Sequence, residues 1–139
     1  MKFSLALILC CAVVACSSAT TDEQQVRSLI ATAEEAAEAR NVGDVLDLVG
    51  DDYADAQGYS RDSLQLFLRA YLAAHPQLEL ATSVDALEFP VPDYARARVT
   101  VRGLELDRFE FGRSVALDVE LRREGGHWRV IRADRARER

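Results

Sequence analysis

Between Gly50 and Arg61 the chain reads "DDYADAQGYS", in which Asp51, Asp52 and Asp55 crowd three carboxylates into five positions beside Tyr53 and Tyr59. Carboxylates this close repel one another, and repulsion raises one pKa toward the range in which a general base operates. The base would be Asp52 or Asp55. The matching proton donor would be Tyr71 or His75, which lie four residues apart just before Pro76. A plainer reading stands beside this one. Acids in a turn-prone loop are ordinarily solvated and their repulsion screened, and a histidine at a helix end ordinarily meets a carbonyl or water. An enclosed carboxylate within about 3.2 Å of a tyrosine hydroxyl would favour the enzyme. Tyr53, Tyr59, Phe67, Tyr71 and Trp128 are the aromatic candidates for a ligand site, with core packing as the alternative for Tyr53, Phe67, Tyr71 and Trp128. Two histidines, and no cysteine after Cys16, are poor material for a transition-metal site, and no cofactor is expected.

The elements that must position these residues change period once along the chain. Thr21-Asp22-Glu23-Gln24 has the form of a capping box. Val26, Leu29, Ile30, Ala33 and Ala37 then recur at helical spacing to Arg40, with Glu34, Glu35 and Glu38 on the other side. Asn41 and Asp44 can cap a short second helix carrying Val42, Val45, Leu46 and Val49, ending at Gly50. After the acidic loop Ser60 starts a third helix. Its Leu64, Phe67, Leu68, Tyr71 and Leu72 share a face, and Pro76 stops it.

From Leu78 the period is two. Leu78, Leu80, Thr82 and Val84 alternate with polar or small residues until Pro90 and Pro92 are expected to break the run into a turn. Ala95, Ala97, Val99 and Val101 form the apolar side of a second strand, with a bulge expected at Gly103. Phe109, Phe111, Val115, Leu117, Val119 and Leu121 form that of a third, bending at Gly112, and Gly125-Gly126 turns tightly into His127–Ile131. Residues 132–139, "RADRARER", read as a frayed polar tail. Three helices followed by a four-stranded antiparallel meander is an α+β layout with helices on one sheet face. If the apolar side faces the helices, inward polarity is limited to Thr82 and Arg113. Asp118 and Glu120 then face outward against Arg96, Arg98 and Arg102 on one side and Arg129 on the other, a cross-strand ladder of ion pairs.

The N-terminus carries an address. Met1-Lys2 precedes an apolar run from Phe3 to Ala15, shorter than the roughly 20 residues a spanning helix needs and of signal-peptide form. Val13-Val14-Ala15-Cys16 resembles a bacterial lipobox, whereas Cys10 and Cys11 lack a small residue just before them. The expected organisation is a signal peptide over 1–15, a tether over 16–20 beginning at lipidated Cys16, a domain over 21–135 and a polar tail over 136–139. Ser17, where inner-membrane retention usually uses Asp, points to the periplasmic face of the outer membrane. The net charge is −6, and eleven acids against three arginines between Asp22 and Asp62 argue against a nucleic-acid partner.

The order of helix, short helix, "DDYADAQG" loop and third helix, then long strands closing on "GGHWRVIRADR", resembles the nuclear transport factor two-like superfamily, specifically its small bacterial lipoproteins. The resemblance implies a curved, cone-like sheet around the first helix, enclosing a cavity that is catalytic in some members and a binding or docking site in others. In the ketosteroid isomerase of that superfamily a loop acid is the base, and Asp55 is its nearest counterpart by location, although no acid on the third strand is placed to act as its hydrogen-bonding partner. Many relatives pair through the sheet, so a homodimer is open. The reading that follows is a lipid-anchored, non-catalytic domain binding a small apolar ligand or an envelope protein. An isomerase, dehydratase or hydrolase is the alternative.

Overall fold

The computed structural model describes residues 20–105 and 114–137. Cys16 and the signal run lie outside the described residues, as do Phe109, Phe111, Gly112 and Arg113. The first helix, α1 (Asp22–Glu38), opens on a capping box: the Thr21 hydroxyl oxygen accepts the Gln24 N–H at 3.2 Å and the Gln24 side chain accepts the Thr21 N–H at 3.0 Å. It closes on a Schellman turn, in which the Asn41 N–H bonds the Ala36 carbonyl and the Arg40 N–H that of Ala37. Arg40 sits there with φ 56, a conformation that usually belongs to glycine. Asn41 caps α2 (Val42–Asp47), accepting from Asp44 N–H at 3.1 Å, and Ser60 caps α3 (Arg61–Ala74), which ends at His75.

Four strands follow as an antiparallel sheet in the order β1 (Leu78–Val91), β2 (Tyr94–Glu105), β3 (Ser114–Glu124) and β4 (His127–Arg135). This is the expected α+β meander. Alternation puts Ala95, Ala97 and Val99 of β2 and Val119 and Leu121 of β3 on one side, where they form a buried cluster with Val26, Leu29 and Ile30 of α1 and with Trp128. Each large apolar side chain removed from water there contributes roughly 1.5–3 kcal/mol. Gly125 and Gly126, with φ 55 and 81, make the tight turn that joins β3 to β4.

Several expectations are corrected. β1 does not stop before Pro90 but runs on to Val91. Pairing passes from Glu88↔Arg96 to Val91↔Tyr94, so Phe89 and Pro90 fall in an irregularity of an edge strand, where a missing N–H is tolerated. Gly103 is not a bulge. It pairs regularly with Leu80, and a Cβ there would meet Leu78 Cδ1 at 3.1 Å, so the position is limited by space. The bulge on β1 falls at Asp85, between Val84↔Val99 and Ala86↔Arg98, and it turns Leu87 toward the core. Residues 132–135 of the supposed tail belong to β4, held by the pairs Ala133↔Val119, Asp134↔Asp118 and Arg135↔Leu117.

Both sheet edges are partly covered. Along β4, the Gly50 N–H donates to the Val130 carbonyl at 2.9 Å, the Val130 N–H to that of Leu48 at 2.8 Å, and the Ala54 N–H to that of Ile131 at 3.2 Å. Along β1 the cover comes from α1: Glu38 accepts the Leu80 N–H and Glu34 accepts the Thr82 N–H, each at 2.7 Å. Glu34 and Glu38 therefore do not face solvent opposite the apolar stripe. They are half-buried and stand in for an absent strand at Leu80 and Thr82, which removes two of the unpaired donors that invite edge-to-edge association.

Candidate functional site

The loop 51–60 is tied down along its length. An isolated bridge between Ala54 and Ser60 closes it, and the Ala56 N–H reaches Asp134 of β4 at 2.7 Å. Burial opposes ionisation of Asp134, yet the Ala56 N–H and the Arg132 guanidinium hold its carboxyl below the usual carboxylate range. Tyr53 lies at the base of the loop, only 4% exposed. Its hydroxyl donates to Asp55 Oδ2 at 2.8 Å, while Asp55 Oδ1 accepts the N–H groups of Gln57 and Tyr59, both at 3.0 Å. Burial, and then the Asp55 carboxylate, push the Tyr53 phenol well above its ordinary value of 10.0.

A carboxylate within hydrogen-bond reach of a tyrosine is thus present, but it is half-exposed, and its Oδ1 is committed to the turn it builds. Asp52 is occupied as well. Arg122 donates to its two oxygens at 2.9 and 2.8 Å, and that contact holds the carboxyl below its usual range, away from the poise of a general base. Asp51 is fully exposed and stands 3.9 Å from Arg61. The three aspartates thus point to three different partners. Arg122, which also pairs with Glu124, is the partner that sequence spacing had no means of assigning to Asp52, 70 residues away.

The aromatic candidates separate into two groups. Tyr53 and Trp128 are buried; Trp128 belongs to the α1–sheet cluster, with Phe89 at 5.8 Å and the Arg123 guanidinium 4.9 Å over its ring. Tyr59, Phe67, Tyr71 and His75 form a continuous row along α3, with ring separations of 5.5, 5.7 and 4.4 Å. Phe67 and Tyr71 are not core residues: they are 43% and 41% exposed, with Leu66 exposed beside them. Of the expected α3 face, Leu72 is the residue that is fully buried. Helical period located the stripe, but α3 contributes less of it to the core than the spacing implied. His75 closes the row, its carbonyl accepting from Arg40 at 2.8 Å.

Inside the sheet, Thr82 is the expected inward polar residue, and Glu34 meets both its N–H and its hydroxyl. The signal for this contact was the Glu34/Glu38 pair at helical spacing opposite a single inward threonine. On the outer face, Arg98 and Asp118 stand directly opposite and make a forked contact at 2.9 and 2.8 Å, and Arg96 stands opposite Glu120. Asp118 therefore faces away from the core. The fourth-strand partner of Glu120 is Arg132 and not Arg129, because a bulge between Glu120 and Leu121 moves Arg129 opposite Arg122. Arg96, Arg98, Asp118, Glu120 and Glu88 border a shallow groove of about 520 Å³. Among the described residues, no three His, Cys, Asp or Glu side chains group as metal ligands.

This geometry recurs in solved structures. A protein of unknown function with a cystatin-like fold from Nostoc punctiforme aligns with TM-score 0.68 and 16% identity over 82% of this chain and 89% of its own. An NTF-2-like protein of unknown function from Shewanella oneidensis gives 0.67 and 12% over 84% of this chain and 100% of its own. The chain has the NTF2-like fold. An uncharacterised protein with a cystatin-like fold from Caulobacter vibrioides aligns with TM-score 0.68 and 17% identity, over 82% of this chain and 87% of its own. At these identities the likeness concerns the fold and carries no activity. No family model and no curated protein sequence matches the chain.

Proposed function

We propose that this NTF2-like domain is a non-catalytic docking module, tethered through lipidated Cys16 to the periplasmic face of the outer membrane, which binds an envelope protein with the aromatic row of α3. The observation that carries the proposal is the row itself: Tyr59, Phe67, Tyr71 and His75 in ring-to-ring succession, with Phe67, Tyr71 and Leu66 exposed. Exposed aromatic side chains that are neighbours on one helix leave apolar area in water, and aromatic residues dominate the energetic centres of protein interfaces. A small apolar ligand is favoured by concave sites that cover most of its surface. A row standing on an outer helix face suits a protein surface better. The Arg122 contact that holds the Asp52 carboxyl below its usual range, and the turn hydrogen bonds that fix Asp55, support the non-catalytic part of the reading.

The test is site-specific photo-crosslinking in the bacterial envelope, with a photoreactive phenylalanine analogue at Phe67, at Tyr71 and, as control, at Arg69 on the other side of α3. The expected outcome is one discrete adduct from the first two positions and none from the third. Equal labelling at all three, or none at Phe67 and Tyr71, overturns the docking role.

A further inference from the structure

The tip of the β1–β2 hairpin, Phe89-Pro90-Val91-Pro92, is exposed and apolar: Phe89 is 39% and Val91 56% exposed, and both prolines are exposed. The tip sits at a particular end of the molecule. Arg123 pairs with Asp93 in the hairpin turn at 3.0 Å and with Asp22 in the first turn of α1, so one guanidinium ties the tip to the start of the helix. Thr20 borders a groove of about 450 Å³ with Gly126, His127 and Trp128, which puts the incoming chain beside the β3–β4 turn at the same end. From Thr20 back to Cys16 is four residues, a reach of at most about 14 Å. The aromatic row lies toward the other end of α1: the His75 carbonyl is held by Arg40 after the last turn, and 17 residues of helix separate the two ends by about 25 Å.

We propose that the Phe89–Pro92 tip is a membrane-contact surface, which enters the interfacial layer of the leaflet holding the acyl chains of Cys16 and turns the α3 row toward the periplasm. The inference rests on the lipid-anchor reading above. Acyl chains already supply stable attachment, so what the tip adds is orientation. Phenylalanine beside prolines suits the headgroup boundary, since neither proline presents an N–H that lipid would leave unsatisfied. Among the side chains tied together at this end, Asp22 and Asp93 share Arg123, which lessens their repulsion from an anionic leaflet. No helix of the described residues is long and apolar enough to cross a membrane, so the contact proposed is peripheral.

The test uses the full acylated protein in vesicles of phosphatidylethanolamine and phosphatidylglycerol. Because Cys16 would be a thioether and no other cysteine follows it, V91C or Q57C supplies the one reactive thiol for an environment-sensitive fluorophore. Gln57, in the loop docked on the far half of β4, is the water-facing control. The expected result is severalfold stronger quenching by nitroxide-labelled lipid at position 91 than at 57, with the reverse order for a water-soluble quencher. Equal lipid quenching at both positions in protein whose mass includes the acyl chains overturns this inference alone. So does a label at 91 shielded from both quenchers, which would mean that protein covers the tip. A mature N-terminus without acyl mass overturns the anchor and this inference together.

Discussion

Tyr53 donates its hydroxyl hydrogen to Asp55 across 2.8 Å, and through that bond the loop and the core are one structure. Asp55→Ala removes a partner from a buried phenol and from two backbone N–H groups, and should cost about 1–3 kcal/mol. Asp55→Asn, which keeps the backbone acceptor, should cost less. Chemical denaturation at neutral pH measures both. Because the folded Tyr53 pKa is raised above 10.0, its contribution is intact below about pH 10 and is lost as pH climbs through the folded value. The wild-type denaturation midpoint should therefore fall in strong alkali, and Tyr53→Phe should flatten that fall.

Glu34 and Glu38 cap the N–H groups of Thr82 and Leu80 on the β1 edge. Removing both carboxylates leaves two edge donors for another chain to find. The double variant Glu34→Ala, Glu38→Ala should lose about 1–3 kcal/mol per orphaned donor and acquire concentration-dependent association in sedimentation. A variant that stays as stable and as dispersed as wild type contradicts the capping role.

Arg40 occupies a left-handed position while donating to the carbonyls of Glu38 and His75. Arg40→Ala keeps the backbone strain and loses the bonds, whereas Arg40→Gly loses the bonds but relieves the strain. Glycine should therefore be the milder substitution by about 1 kcal/mol, a reversal of the usual helix order. Thermal denaturation of the two variants decides.

Asp118 lies opposite Arg98 on the outer sheet face, with both side chains about half-exposed. Asp118→Arg replaces an ion pair by like charges and should destabilise by roughly 0.2–1 kcal/mol, an effect that shrinks as salt is raised. Denaturation at low and high ionic strength measures it.

Cys16→Ser should abolish acylation and release or misprocess the protein, while replacing Cys10 and Cys11 together should leave the mature protein unchanged. Mass spectrometry of the mature N-terminus and membrane fractionation check both outcomes.

Much of this protein is written in short-range chemistry. The caps at Thr21, Asn41 and Ser60 act over three residues, the Gly125-Gly126 turn over two, and the strand alternation needs only the pleat, so element order, the α+β meander and the outward side of Asp118 were legible in the chain. What spans the sheet was not. Two bulges, at Asp85 and between Glu120 and Leu121, bring Leu87 inward and put Arg132 in place of Arg129, because register after a bulge depends on the partner strand and not on local pattern. Arg132–Arg135 reads as a tail until β3 offers it a ladder. The α1 glutamates look solvated until an open strand edge lies beside them, and Asp52 and Asp55 look like a base until Arg122 and Tyr53 occupy them. Helical period marks Phe67 and Tyr71 as apolar, but only packing decides how much of a helix face its neighbours cover. The residues left uncovered are those from which this protein's binding has been inferred.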